Sequence, residues 1–281
     1  MSVNRSSASQ SSDRLAARRR LRRRRILIAL GIIPLLLSIG VVYELRQSTL
    51  RISQVQIYGA DQSFADIATA AMQGYYLGLI PRDSTFLFPA ARIRSDIISA
   101  HPDIAAVSIF RNGFTGLSIK INDRVPVARW CGERFDLNAT SSRSNLNADC
   151  YLFDASGFVY ATTSGAIQPV NSFIVYESPA HESEPIGSTL PHAVKFPAAF
   201  DFARQLDTFG SPVSSVVFRE DEVDDFLSSG TRITYVLGHE RNAFTALMSA
   251  REGFNLADGS VEYVDLRFDG KMYLKKKEAP K

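Results

Sequence analysis

Residues 102–130 read PDIAAVSIFRNGFTGLSIKINDRVPVARW. Val107 and Ile109, then Leu117, Ile119 and Ile121, recur at every second position, the period of a strand with one buried face. Between the two runs stands Arg111-Asn112-Gly113-Phe114-Thr115-Gly116, a glycine-containing loop suited to a hairpin. Upstream, His101-Pro102 stops a helix in which Ile93, Ile97 and Ala100 share one face and Pro89 suits the first turn. Before it, Phe64, Ile67, Ala68, Ala71, Met72 and Tyr75 fall at helical spacing behind Ser63-x-x-Asp66, which resembles a capping box. Gly74 and Gly78 weaken the end of that helix, and Pro81 and Asp83 mark a loop. Val55 and Ile57 alternate ahead of Gly59, a short strand entering a turn. The order over residues 50–124 is β-α-α-β-β, and the apolar positions named are its core.

Nearer the N-terminus lies ILIALGIIPLLLSIGVVY, Ile26 to Tyr43, without a charge. As a helix it spans roughly 27 Å, close to the hydrocarbon thickness of a bilayer; Pro34 is tolerated in such a helix. Seven arginines between Arg18 and Arg25 precede it, and only Glu44 and Arg46 follow closely. Basic residues stay on the cytoplasmic side, so the expected topology is N-terminus inside and residues 44–281 outside. A cleaved signal peptide would use Ser38-Ile39-Gly40, but the apolar run continues through Val41 and Val42. A core helix is not normally preceded by so many arginines, and orienting the span explains them without a nucleic-acid ligand. Residues 1–25 are expected to be a basic, disordered cytoplasmic tail.

The charge is divided accordingly. Of 32 basic and 29 acidic residues, nine arginines and one aspartate fall in the first 25 positions. The remainder is mildly acidic, which speaks against a nucleic-acid-binding body. Two cysteines cannot build a four-cysteine zinc site, and His101, His181, His192 and His239 show no metal-ligand spacing. No G-x-S-x-G, Walker A or G-x-G-x-x-G pattern occurs. Glu220-Asp221-Glu222-Asp224-Asp225 lacks the spacing and glycine of a calcium loop and reads as a solvated charge run.

Residues 125–274 read as mainly antiparallel strands with two or three helices. Tyr151–Phe153 and Phe158–Tyr160 flank a turn at Asp154-Ala155-Ser156-Gly157, and Phe173–Tyr176 is another strand. Phe196 to Phe209 carries a helical apolar face ending at Gly210. Val213–Arg219 and Arg232–Leu237 alternate, and Asn242 is placed to cap a helix through Phe244, Leu247 and Met248 that closes at Gly253. The chain then offers a strand, Val261–Phe268, the turn Asp269-Gly270, and a last strand, Lys271–Lys275, before a flexible tail over 275–281. Val264, Leu266 and Phe268 are expected inside, and Tyr263, Asp265 and Arg267 in water. Cys131 and Cys150 bracket a polar stretch, and antiparallel pairing of PVARW with YLF would bring them together as a disulfide. Two unrelated buried thiols are the alternative. Asn138-Ala139-Thr140 is a glycosylation sequon of the kind that arises by chance.

The strand VQIYGA, the segments PDIAAVSIFR and LSIKINDR, and the following PVARW together resemble the POTRA domain of FtsQ/DivIB-type bacterial division proteins. Asp123 stands where that family usually has Glu before the arginine. YLFDASG at 151–157 and VEYVDLRFDG at 261–270 are similar to its later strands; across 165–240 the likeness is weak. The resemblance implies an α+β chain: a single transmembrane helix at 26–43, a POTRA domain and a C-terminal β domain. It implies no catalysis, no cofactor or metal, no small-molecule substrate and no nucleic acid. The implied partners are bitopic coiled-coil division proteins of the FtsL/FtsB kind and, through them, the septal peptidoglycan synthase complex at the inner membrane of the division septum. The last strand would receive a partner's strand, with Phe268, Lys271, Met272, Tyr273 and Leu274 forming the site. A POTRA-type chaperone or secretion component, or a membrane-anchored hydrolase, are the competing readings. The first lacks a barrel and further POTRA units, and the second would need polar groups converging in a deep pocket.

Overall fold

The computed structural model describes residues 6–133, 150–163, 168–179 and 184–277. Helix α1 runs Ser6–Leu45 and keeps Pro34 inside it. Within it Arg22–Leu45, 24 residues that contain the charge-free run Ile26–Tyr43, is long and apolar enough to cross a membrane. The arginine-rich head expected to be disordered is helical from Ser6. Arginine, leucine and alanine are good helix formers, and a helix already nucleated in the apolar segment extends at little cost.

Contacts divide the chain into two units, Met1–Ala100 with Ala106–Asn122, and His101–Ala105 with Asp123–Lys281. The first contains β1 (Gln54–Tyr58), α2 (Phe64–Ala71), β2 (Tyr75–Tyr76), β3 (Ile80–Pro81), α3 (Ala90–Ala100), β4 (Ile104–Asn112) and β5 (Gly116–Asp123). Its sheet has the order β1-β5-β4, with β1 parallel to β5 in a register that sets Val55 beside Leu117 and Ile57 beside Ile119. The central strand is the most buried: Leu117, Ile119 and Ile121 lie inside, with Ala68 of α2 and Ile93 and Ile97 of α3. Val55 and Ile109, on the edge strands, are only half-buried. Gly59 has φ 87°, and a Cβ there would stand 2.5 Å from the carbonyl oxygen of Ile121, so only glycine fits this turn. Two local expectations fail. Ser63 makes no capping hydrogen bond; the neighbouring Gln62 instead donates to the carbonyl of Val55 at 2.8 Å. The helix expected to carry Tyr75 and to weaken through Gly74 and Gly78 ends at Ala71; Tyr75 opens instead the small hairpin β2–β3, too short for periodicity to reveal, and Pro81 of the expected loop is in its second strand.

The second unit is built on β6 (Ala128–Trp130), β7 (Tyr151–Phe153), β8 (Val159–Thr162), β9 (Ile174–Tyr176), α4 (Phe196–Leu206), β10 (Val213–Arg219), β11 (Glu222–Leu227), β12 (Arg232–Val236), α5 (Glu240–Ala250), β13 (Val261–Asp265) and β14 (Tyr273–Lys276). Nine strands form one sheet in the order β14-β13-β12-β11-β10-β9-β6-β7-β8. It is mixed, since β6–β9, β9–β10 and β12–β13 are parallel. The helices explain two of these: α4 connects β9 to β10 and α5 connects β12 to β13, and a parallel neighbour requires such a crossover. Phe196, Ala199, Phe200, Ala203 and Leu206 of α4 are buried as the helical spacing predicts. Phe200 meets Phe153, Phe173, Phe196 and Phe218 with ring centroids 5.1–6.4 Å apart, an aromatic core on the sheet.

β11 was not legible as a strand, because its sequence EVDDFL reads as charge. Asp224 and Asp225 are buried within it, so only part of the acidic cluster is solvated. Helix α5 starts at Glu240 rather than at Asn242; the carboxylate of Glu240 accepts from the backbone N–H of Gly238 at 2.7 Å and fixes that start.

Candidate functional site

Main-chain groups at the rim of a sheet are binding sites when nothing covers them. The nine-stranded sheet has two rims. At β8 the outer side is partly occupied: Phe158 bridges Thr189, and Val159 both donates to Ser188 and accepts from Gly187. At β14 no pairing on the outer side occurs among the described residues.

β14 pairs antiparallel with β13, Val264 opposite Leu274 and Asp265 opposite Tyr273. The N–H of Lys277 donates inward to Ser260 at 2.8 Å. Because strand amides alternate in direction, those of Lys275 and Tyr273 face β13, and those of Leu274 and Lys276 face outward. Lys275 reaches across to Glu262 at 2.8 Å. The strand therefore runs past the expected end at Lys275, and residues 275–277 belong to the sheet rather than to a free tail; 278–281 lie outside the described residues.

The five residues expected at the partner site divide between the connection and the strand. Tyr273 and Leu274 are on β14, whereas Phe268, Lys271 and Met272 lie in the connection, so the expected two-residue turn is a longer excursion. The cause is local. The carboxylate of Asp265 accepts the backbone N–H of Arg267 at 3.1 Å, a turn that ends β13 early. Leu266 then donates to Thr234 at 2.8 Å. Val264 and Leu266 are buried as expected, but with the alternation broken Phe268 points outward, 51% exposed. Its ring meets that of the equally exposed Tyr273 edge to face at 5.4 Å. Met272 and Leu274 pack on the core.

Arg267 anchors this connection. Its guanidinium bonds Asp265 at 2.7 Å and Glu222 at 2.9 Å, tying β13 to the start of β11. The hydrogen bond from Arg267 holds the Asp265 carboxyl below its ordinary range, and both carboxylates raise the guanidinium further. Beside the connection an open groove of about 590 Å³ is lined by Asn242, Ser249 and Ala250 of α5 together with Asp269, Gly270 and Met272.

The two cysteines lie at the other end of the sheet. A disulfide joins Cys131 to Cys150, with Cα atoms 4.3 Å apart, at the ends of β6 and β7 where Trp130 pairs with Tyr151. The polar stretch between them, including the Asn138-Ala139-Thr140 sequon, lies outside the described residues except at its first positions, and His181 lies outside them as well.

Among the described residues His101 lies 4.0 Å from the exposed Asp103, and His192 pairs with the buried Glu177. Glu177 accepts from the backbone N–H of His192 at 2.8 Å, and its Oε1 lies 2.5 Å from His192 Nδ1. Burial raises the Glu177 carboxyl above its usual range, against the hydrogen bonds from His192. Among the described residues no hydroxyl or thiol bonds to His192, so the pair holds two segments together. Nor do the described residues include three or more His, Cys, Asp or Glu side chains grouped as a metal site would require.

No family model matches this chain, and no curated protein matches it.

Proposed function

We propose that this chain is a membrane-anchored binding scaffold of the FtsQ/DivIB type, without catalytic activity of its own. The observation that carries the reading is the edge of β14, uncovered among the described residues and flanked by the exposed Phe268–Tyr273 pair, in a chain that also holds a β-α-α-β-β unit with a small hairpin between its helices and a helix long enough to span a bilayer. The arginine run places the N-terminus in the cytoplasm and both folded units outside. The partner is a bitopic coiled-coil division protein of the FtsL/FtsB kind, which adds an extended segment to β14 and links the scaffold to the septal peptidoglycan synthases. The outward amides of Leu274 and Lys276 supply main-chain bonds, and Phe268 and Tyr273 supply apolar contact. Lys275, Lys276 and Lys277 keep the edge from pairing with other chains. Confinement of scaffold and partner to one membrane plane raises their effective concentration.

The test is Lys276→Pro in the full chain. Proline there removes an outward donor and leaves the inward bonds of Lys275 and Lys277 in place. Capture of the bitopic partner from membranes should be lost, while membrane insertion and thermal unfolding stay unchanged. Normal capture by a folded Lys276→Pro protein moves the site away from this edge.

A further inference from the structure

The first unit carries an apolar surface that the partner edge does not explain. At the tip of the β2–β3 hairpin Leu77 is 97% exposed and has φ 49°, the one left-handed residue other than glycine among the described residues. A leucine gains nothing in water from that backbone conformation, which its Cβ disfavours. Such outliers persist where the tip serves another purpose. Tyr75 and Leu79 of the same hairpin are also exposed, as are Phe86, Leu87 and Phe114.

Hydrogen bonds place this set beside the end of α1. Arg46, the residue after the helix, donates from Nε to the carbonyl of Leu79 at 2.9 Å. Asp83 accepts from the N–H of Ile52 at 2.7 Å, and the N–H of Thr85 donates to Leu50 at 3.0 Å. The carbonyl of Phe114 accepts from the hydroxyl of Thr85. The apolar run of α1 ends at Tyr43, and Arg46 lies three residues beyond it, about 4.5 Å along a helix. The headgroup layer on each side of a bilayer is about 5–7 Å deep. A helix that spans the membrane therefore holds the hairpin at headgroup level, whichever way it is inserted.

The chemistry suits that layer. Tyrosine rings with a wet end and an apolar body collect at membrane interfaces. Arg82, half-buried, lies over the Tyr76 ring at 5.4 Å, and the exposed Arg46 is bonded to Leu79 of the same hairpin, so cationic groups stand where lipid phosphates are.

We propose that the hairpin Tyr75–Pro81, with Phe86, Leu87 and Phe114, is a lipid-binding surface that seats the first unit in the headgroup–acyl boundary. The occupant is the bilayer crossed by α1, and the inference rests on α1 being a membrane span. Leu77 and Leu79 enter the acyl boundary, and Arg46 and Arg82 remain at the phosphates.

Both native cysteines are bonded to each other, so an introduced thiol can be labelled alone. Nitroxide labels at Leu77→Cys, Leu36→Cys and Asp61→Cys are placed singly in the full chain. Each chain is reconstituted in vesicles of phosphatidylcholine and phosphatidylglycerol. Power saturation then compares access of oxygen, which concentrates in lipid, with access of a nickel chelate, which stays in water. The oxygen-to-nickel ratio at Leu77 should be several-fold above that at Asp61 and approach that at Leu36. A ratio at Leu77 equal to that at Asp61, with Leu36 in hydrocarbon, overturns the surface and leaves the anchor standing. A Leu36 label in water removes the anchor and this inference together. A Leu77 label shielded from both probes, as contact with a second protein would give, also overturns it.

Discussion

Replacing Asp225 with asparagine tests how the central sheet tolerates a carboxyl group. Asp225 sits on β11 with no exposed surface, and neither of its carboxylate oxygens has a hydrogen-bond partner among the described residues. Burial first, then the charges of Asp224 and Glu240, push its pKa well above the ordinary 3.8. The folded state thus retains a proton that the unfolded chain releases. Its titration costs nothing below the unfolded pKa, and stability falls as pH rises from there toward the folded pKa. One proton separates the two states in that window, so the loss is about 1.4 kcal/mol per pH unit. Asparagine keeps the shape and does not titrate. The stability of Asp225→Asn minus that of the parent should therefore climb by about 1.4 kcal/mol per unit from about pH 4.5, then level off at the folded pKa. Titrations shared by the two chains cancel in the difference. Equilibrium urea unfolding of the full chain in detergent micelles provides the measurement. Its signal is fluorescence of Trp130, the single tryptophan, buried in the same unit. Parallel stability curves for the two proteins would refute the reasoning, since Asp225 would then be ionised in the fold or reached by water.

Reduction of the Cys131–Cys150 bridge, or Cys131→Ser with Cys150→Ser, should lower the stability of the second unit by about 3 kcal/mol, given a separation of 19 residues. The same fluorescence titration reads it, and an unmoved midpoint contradicts it. Arg124→Met should cost about 2–3 kcal/mol, because Arg124 pairs with Asp154, donates to Pro102 at 2.9 Å and lies over the Phe158 ring at 4.1 Å. Burial would raise the Asp154 carboxyl, but the hydrogen bonds from Ser156 and Arg124 outweigh it and hold the carboxyl below 3.8. The contribution of that pair is accordingly full above the unfolded pKa and fades as pH falls through the folded one, so the penalty of Arg124→Met should shrink in acid.

Where hydrophobic spacing alone sets a structure, the linear chain was sufficient. The apolar span of α1, the α3 face of Ile93 and Ile97, the buried row Leu117–Ile119–Ile121 and the α4 face from Phe196 to Leu206 follow from local periodicity, which needs no knowledge of distant residues. What depends on neighbours brought from elsewhere was not legible. EVDDFL is a strand because β10 and β12 flank it and Thr234 and Arg219 take up the carboxylate of Asp224. Phe268 is exposed because the carboxylate of Asp265 turns the chain at Arg267, itself held by Glu222 across the sheet. At the candidate partner edge, sequence supplied Tyr273, Leu274 and the lysine-rich end, whereas the outward direction of the Lys276 amide follows from pairing with β13 and the bond of the Lys277 N–H to Ser260. That β14 is a rim of the sheet was decided by strand order, which arises when α4 and α5 carry the chain across to make parallel neighbours. The hairpin at Leu77 is the same case: YYLGLI reads as the weakened end of a helix, and only the hydrogen bond from Arg46 to Leu79 sets it beside the end of the apolar helix. Periodicity reports which face of an element is buried, whereas the closure of long loops determines what that face, or that edge, meets.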